Sequence, residues 1–180
     1  MTTNYDKIYE RFWEQLASKS DPEGEEPAPL VTLNYYDDGL IDNLRSERRL
    51  LLKLHGTAEA ADRIILSRSQ YAHGRHQYAG FFAGVSALLL TRTVLFIGMG
   101  FSGDPDVDLL LEDAAFMARA RSQHYALVPQ GRSVSELQSL GSAFNVQAKE
   151  YVVTPTGGHD ALLEALNDLC KLVEGVREAS

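Results

Sequence analysis

The stretch 93–106 constrains the fold more than any other part of this sequence. Its first five residues are apolar or β-branched, as in a buried strand. Gly98 and Gly100 follow at once, and glycine lets the backbone turn sharply and approach a ligand closely. Asp104 suits a helix N-cap and Pro105 suits the first helical position. Strand, glycine turn and helix in this order can build a nucleotide-phosphate site, although the same residues also serve a purely structural turn.

Strand and helix patterns alternate along the chain, which predicts an α/β, Rossmann-like fold with a mainly parallel sheet and helices on both faces. The predicted strands are 30–36, 50–56, 63–66, 93–97, 125–128 and 146–153, the last at an edge. The predicted helices are 8–16, 78–89, 105–117, 133–144 and 160–173. The last helix is expected to bury a stripe formed by Leu162, Leu163, Leu166, Leu169 and Val173. The 180 residues suit a single domain, 1–180, with an exposed acidic loop at 18–29.

Composition excludes several classes of function. The net charge of −8 argues against nonspecific nucleic-acid binding, which needs a basic surface. No apolar run approaches the roughly 20 residues that span a bilayer, and no signal peptide is visible, so no membrane partner is expected. The single Cys170 excludes an internal disulfide and a multi-cysteine zinc site, which predicts a reduced, cytoplasmic setting and no metal. His73 and His76 are three residues apart and could bind a metal, but no further ligand lies nearby and a solvated loop is expected here.

Four segments with candidate functional side chains lie at predicted strand ends or strand-to-helix turns. They are Thr3–Asp6, Leu54–Gly56, Gly98–Asp106 and Gly157–Asp160. The carboxyl ends of strands in an open α/β sheet share one crevice. We therefore expect the four segments to converge on one ligand.

These segments, in this order, resemble the sirtuin-like domain of bacterial defence proteins. The matching motifs are Thr-Thr-Asn-Tyr-Asp at 2–6, Lys-Leu-His-Gly at 53–56, and Leu-Phe-Ile-Gly at 95–98 followed by Phe-Ser and Asp-Pro-Asp. Further matches are residues 64–71, 124–129 and His159-Asp160. The resemblance implies a Rossmann-like fold that binds NAD as its substrate. It also implies cleavage of the nicotinamide glycosidic bond by NAD hydrolysis in anti-phage defence.

The resemblance assigns roles to particular residues. Asn4 and Asp6 match the Asn and Asp beside the nicotinamide ribose, and His55 matches the catalytic histidine. A carboxylate can stabilise the positive charge that develops on the ribose, and a histidine can accept a proton. The expected NAD-binding residues are Thr3, Gly56, Gly98, Met99, Gly100, Phe101, Ser102 and His159.

The sequence departs from the family pattern in two respects. The four zinc cysteines of deacetylating sirtuins are absent, which argues against protein deacetylation. The family's Gly-Ala-Gly-type segment does not precede Thr2, so the resemblance covers the second half of such a domain. We therefore expect an incomplete sirtuin-like domain that works with a complementary N-terminal half or as a homo-oligomer. The alternative is an inactive fragment that binds nucleotides or another protein.

Structural roles remain open for the same residues. Asn4 or Asp6 can cap the first helix, and His55 can be a hydrogen-bonded core histidine. Ser102 and Asp104 can shape the turn and begin its helix, and His159 faces either the adenine end of a ligand or water. A Rossmann-type nucleotide protein unrelated to sirtuins would leave the Asn-Tyr-Asp and His-Gly segments without a role.

Overall fold

The computed structural model describes residues 1–18, 28–46, 48–101, 105–118, 123–154 and 156–178. Most of the predicted acidic loop at 18–29, together with Ser102 and Asp104, lies outside these ranges. The helices are α1 (Ile8–Ser18), α2 (Leu40–Leu44), α3 (Arg68–Gln77), α4 (Ala79–Thr91), α5 (Pro105–Ala118), α6 (Val134–Phe144) and α7 (Asp160–Glu178). The strands are β1 (Leu30–Asn34), β2 (Arg49–Lys53), β3 (Leu95–Ile97), β4 (His124–Pro129) and β5 (Val146–Tyr151).

Every paired strand of the described chain is parallel to its neighbour, and helices flank the strands. The predicted α/β, Rossmann-like class is therefore confirmed. The residues form two compact units, Met1–Ala87 and Leu88–Ser180. That the whole chain is one domain stays a prediction. None of the described helices combines the length and apolar character needed to cross a membrane.

The first unit is built on the parallel pair β1–β2, which runs from Leu30 opposite Arg49 to Asn34 opposite Lys53. Thr2 forms a further parallel bridge to Lys53. Its backbone bonds go to Leu52 and Leu54, whereas the carbonyl of Lys53 accepts the N–H of Tyr35 at the end of β1. Because neighbouring residues of a strand direct their backbone groups to opposite edges, the N-terminal segment lies along the edge of β2 away from β1.

Two sequence predictions in this unit are wrong. Residues 63–66 form no strand: a 3₁₀ turn at Ala61–Arg63 leads into an extended segment. The backbone of this segment forms hydrogen bonds with the Tyr5 and Tyr35 side chains and with the His55 backbone, and does not pair with a strand. The predicted helix 78–89 is confirmed as α4, but α3 directly precedes it, so His73 and His76 lie on a helix and not in the predicted loop. Tyr78 between the two helices leaves helical geometry at φ −111° and ψ 42°.

The second unit holds the sheet β3-β4-β5, in which β5 lies at the edge of the described strands, as expected. A small core forms between this sheet and α6 from Ala126, Val128, Leu140 and Val146. The predicted capping box at the start of α6 is present, with Ser133 and Glu136 bonding reciprocally. The burial predicted for α7 is wrong: none of its residues is buried, and Leu163 is 62% exposed.

His124 of β4 should make this protein less stable in mild acid. The ring is buried, its Nδ1 accepts the Val94 N–H at 3.2 Å, and burial lowers its pKa. Because the folded-state pKa lies below the unfolded value of about 6.5, the stabilisation is complete above pH 6.5 and is lost as the pH falls below it. We expect urea unfolding to show that His124→Asn, which keeps an acceptor but does not titrate, reduces the loss of stability between pH 7 and pH 5.

The exposed His76 provides the control for this pH effect. His76→Asn should leave the pH dependence of unfolding unchanged, because folding does not bury this side chain. Equal pH dependence in wild type and His124→Asn would contradict the prediction.

Candidate functional site

The N-terminal segment carrying Asn4 and Asp6 is fixed against β2 by backbone hydrogen bonds. The Thr2 N–H donates to the Leu52 carbonyl at 2.8 Å, and the Leu54 N–H donates to the Thr2 carbonyl at 3.0 Å. Since the bridge is parallel, the segment and β2 run toward the same edge. The structure thus brings the first two predicted segments together within one unit.

Tyr5, between the two predicted catalytic residues, fastens the segment to the loop after β2. Its hydroxyl donates to the Ile65 carbonyl at 2.7 Å, and its carbonyl accepts the Ala58 N–H at 2.9 Å. Its ring centroid lies 6.4 Å from that of His55. The sequence motif therefore includes an anchoring tyrosine as well as the two polar residues.

His55 follows β2 and is 7% exposed. On one side lies the ring of Tyr5, and on another the ring of Tyr71, edge-on at a centroid distance of 6.3 Å. Tyr71 in turn contacts Phe82 at 5.5 Å, so the imidazole is backed by aromatic side chains. This environment holds the ring in one place, which suits both a structural histidine and a positioned proton acceptor.

Gly56 makes the tight turn that follows His55. Its φ is +83°, and a Cβ at this position would lie 2.8 Å from the carbonyl oxygen of Arg63. The next loop returns so that the Ile65 N–H donates to the His55 carbonyl at 3.1 Å. A residue with a side chain would push against the Arg63 carbonyl and disturb the loop that bonds to His55.

Asn4 and Asp6 differ in the hydrogen bonds that they form. Both are exposed. The Oδ1 atom of Asp6 accepts the Ile8 N–H at 3.0 Å, at the first residue of α1. Of the two capping alternatives, the structure supports Asp6, where a carboxylate also meets the positive end of the helix dipole. The Asn4 N–H donates to Thr2 Oγ1 at 3.0 Å, and the predicted catalytic roles of both side chains stay predictions.

The glycine turn belongs to the second unit. Gly98 directly follows β3 with φ +70°, and a Cβ there would meet no atom within 4 Å, so the described residues leave this side of the turn unfilled. Phe101 also has a positive φ, of 54°. Its ring packs edge-on against Phe96 at 5.4 Å and joins the apolar cluster of this unit, which compensates for the backbone strain.

Two further side chains lie at strand ends of the second unit. Arg132, in the loop after β4, donates from Nη2 to the Gly100 carbonyl at 2.6 Å. His159, in the loop after β5, makes a 2.9 Å hydrogen bond through Nδ1 with the hydroxyl of Tyr151. Whether Gly98, Met99, Gly100, Phe101 and His159 bind NAD stays a prediction, as it does for Thr3 and Gly56 in the first unit.

The sequence motifs assigned no role to Arg132, Lys53 or Glu10. Arg132 brings a guanidinium to the glycine turn. Its position shortly after the end of β4, the strand that pairs with β3, could have indicated this from sequence. Lys53 is 1% exposed and bonds to Glu10 at 3.1 Å. A lysine within a run of leucines is unusual, and this could have drawn attention to it. Within the described ranges, no group of three or more His, Cys, Asp or Glu side chains is arranged to hold a metal ion.

Comparison with known proteins identifies the family. A family profile described as "SIR2-like domain" matches residues 1–152. The chain belongs to the SIR2-like domain family. The resemblance drawn from the Asn-Tyr-Asp, His-Gly and glycine-turn segments is thereby confirmed, since the match extends over all three.

Relatives of this SIR2-like chain carry the name NAD(+) hydrolase ThsA. The protein from Acinetobacter baumannii (strain 532279) is 25% identical over 97% of this chain and 35% of its own length. The proteins from Bacillus cereus (strain MSX-D12) and Cytobacillus dafuensis are 22% and 27% identical, covering 96% and 69% of this chain. They are matched over 34% and 23% of their own lengths. The chain therefore spans about a third or less of the relatives it matches.

Proposed function

We propose that this chain takes part in the hydrolysis of NAD at its nicotinamide glycosidic bond. Water adds to the ribose carbon, nicotinamide leaves, and ADP-ribose and a proton are the other products. The observation that carries the proposal is the buried His55 beside the anchored Asn4–Asp6 segment, in a chain of the SIR2-like family. The name of the relatives, NAD(+) hydrolase, supports the choice of substrate and reaction.

Each of the three residues has a role that its chemistry suits. Loss of nicotinamide leaves positive charge on the ribose, and the Asp6 carboxylate stabilises that charge. The Asn4 amide holds the attacking water or a ribose hydroxyl, because it both donates and accepts hydrogen bonds. His55 accepts the proton from the water or from the hydroxyl. We assign the glycine turn from Gly98 and its neighbour Ser102 to the adenosine side of NAD.

The biological setting follows from the same proposal. NAD is a substrate here, and no metal is needed in the proposed step. Depletion of NAD in the reducing cytoplasm of an infected bacterium would arrest the cell and serve anti-phage defence. This role rests on the resemblance to defence proteins and on the chemistry of the site.

The direct test is incubation of the purified 180-residue chain with NAD, followed by chromatographic measurement of nicotinamide and ADP-ribose. The mixture is tested alone and with the product of any adjacent reading frame, which would supply a complementary N-terminal half. We expect equal amounts of the two products in at least one mixture, because hydrolysis yields one of each. No nicotinamide release in either mixture would contradict the proposal.

A second candidate function is an inactive module that binds another protein. The observation that favours it is the apolar face of α1, where Ile8 is 72%, Phe12 56% and Leu16 42% exposed. Exposed apolar faces of this kind mark contacts with another chain, here an N-terminal half or a second copy. In that case NAD stays intact, and size-exclusion chromatography shows association that grows with protein concentration.

A further inference from the structure

Lys53 is a buried ammonium group within an apolar strand. It follows Leu50, Leu51 and Leu52, and it is 1% exposed. A charged group is costly to bury unless other groups replace the water that it loses. The partners of this lysine therefore indicate what it holds in place.

The three acceptors that the described residues offer the Lys53 ammonium lie in one short segment. Nζ donates to the Asp6 carbonyl at 2.5 Å and to the Glu10 carboxylate at 3.1 Å, and lies 3.4 Å from the Tyr5 carbonyl. The Glu10 side chain is itself only 12% exposed. An ammonium has three protons to donate, and this segment offers three acceptors.

These bonds connect the two parts of the candidate site in the first unit. Lys53 lies two residues before His55 on the same strand end, and its bonds reach the carbonyls on both sides of the Asp6 α-carbon. Glu10 belongs to α1, so the helix is held at the same point. Arg49 at the start of β2 lies 4.4 Å over the ring of Trp13, which attaches α1 a second time.

We propose that Lys53 and Glu10 are positioning residues that hold the Asn4–Asp6 segment in register with His55. The inference rests on the proposed function, because it assigns the pair to the cleavage of NAD. Neither residue touches the substrate in this proposal. Lys53 acts through the Tyr5 and Asp6 carbonyls, and Glu10 neutralises and orients the ammonium. A shift of about 1 Å in such a segment can slow a reaction by roughly 100-fold.

The test compares Lys53→Met with the double variant Lys53→Met/Glu10→Gln in the mixture that cleaves NAD. The single variant leaves the largely buried Glu10 carboxylate beside an apolar side chain, so its melting temperature should fall. The double variant removes that charge and should recover most of the melting temperature. We still expect its kcat to be about 10- to 100-fold below wild type with KM for NAD changed by less than about threefold, because the carbonyl anchors are missing.

The control is Lys171→Met, since the ion pair of Lys171 with Asp168 is exposed on α7. This variant should change neither melting temperature nor kcat. If kcat of the double variant returns with its melting temperature, the pair is merely structural and the inference is overturned. A change in KM for NAD with kcat unchanged would overturn it as well.

Hydrogen exchange separates this inference from the proposed function. In the double variant, the amides of residues 4–10 should exchange at least about tenfold faster than in wild type, whereas those of α7 stay unchanged. If wild type releases no nicotinamide, the proposed function fails while the exchange result still decides whether Lys53 anchors the segment. Unchanged exchange at residues 4–10 would overturn the inference whatever the activity.

Discussion

Replacing His55 by Ala should lower the rate of nicotinamide release at least about 100-fold, because a positioned proton acceptor typically contributes 10²–10⁴ to a rate. The imidazole is buried between Tyr5 and Tyr71, so its removal also leaves a gap. His55→Gln fills more of that gap without restoring an imidazole that can accept a proton. We expect both variants to lose activity, with the glutamine variant closer to wild type in melting temperature.

The matched control for this experiment is His76→Ala. His76 is exposed on α3, and no role in the site is assigned to it. Its replacement should leave the rate and the melting temperature unchanged. A His55→Gln protein that is folded and still releases nicotinamide at the wild-type rate would remove His55 from the mechanism and favour the structural role for this histidine.

Replacing Gly56 by Ala should reduce the free energy of unfolding by about 2–4 kcal/mol. For a residue with a side chain, the left-handed conformation at φ +83° is destabilising by roughly 1–2 kcal/mol. The added Cβ would also lie 2.8 Å from the carbonyl oxygen of Arg63, so the backbone must shift. Urea unfolding of the purified variant measures the sum of the two effects.

Gly39→Ala separates conformation from contact. Gly39 has φ +85°, close to the value at Gly56, but its nearest neighbour to an added Cβ is Asn43 Nδ2 at an ordinary 3.6 Å. This variant should pay only the conformational cost of about 1–2 kcal/mol. Equal losses of stability at the two positions would show that the Arg63 carbonyl does not restrict position 56.

The local elements were largely predictable from sequence. β1, β2, β3 and β4 lie within or beside the predicted ranges, since short apolar runs ending in Gly, Pro or Asp are typical of buried strands. The capping box of α6 was predictable because its two residues lie three positions apart. The five-residue helix α2 was missed, since so short an element shows no periodicity.

The errors arose where distant partners replaced local ones. Residues 63–66 have the composition of a strand, but the Arg63 and Ile65 carbonyls accept the Tyr35 and Tyr5 hydroxyls. Between α3 and α4, the ring of Tyr78 packs edge-on against Tyr35 at 5.4 Å, at the residue where the helix is interrupted. The apolar stripe of α7 was predicted to be buried, but helical spacing indicates only that these side chains share a face. It does not indicate whether another element covers that face.

The sequence by itself determined the α/β class, the family and the candidates Asn4, Asp6 and His55, because the identity and order of residues carry that information. Only the tertiary structure decided how those candidates are supported. The bond from Lys53 to the Asp6 carbonyl joins residues 47 positions apart. A lysine in a leucine run has no local pattern that names its partner, because the partner is set by the way β2 packs beside the N-terminal segment and α1.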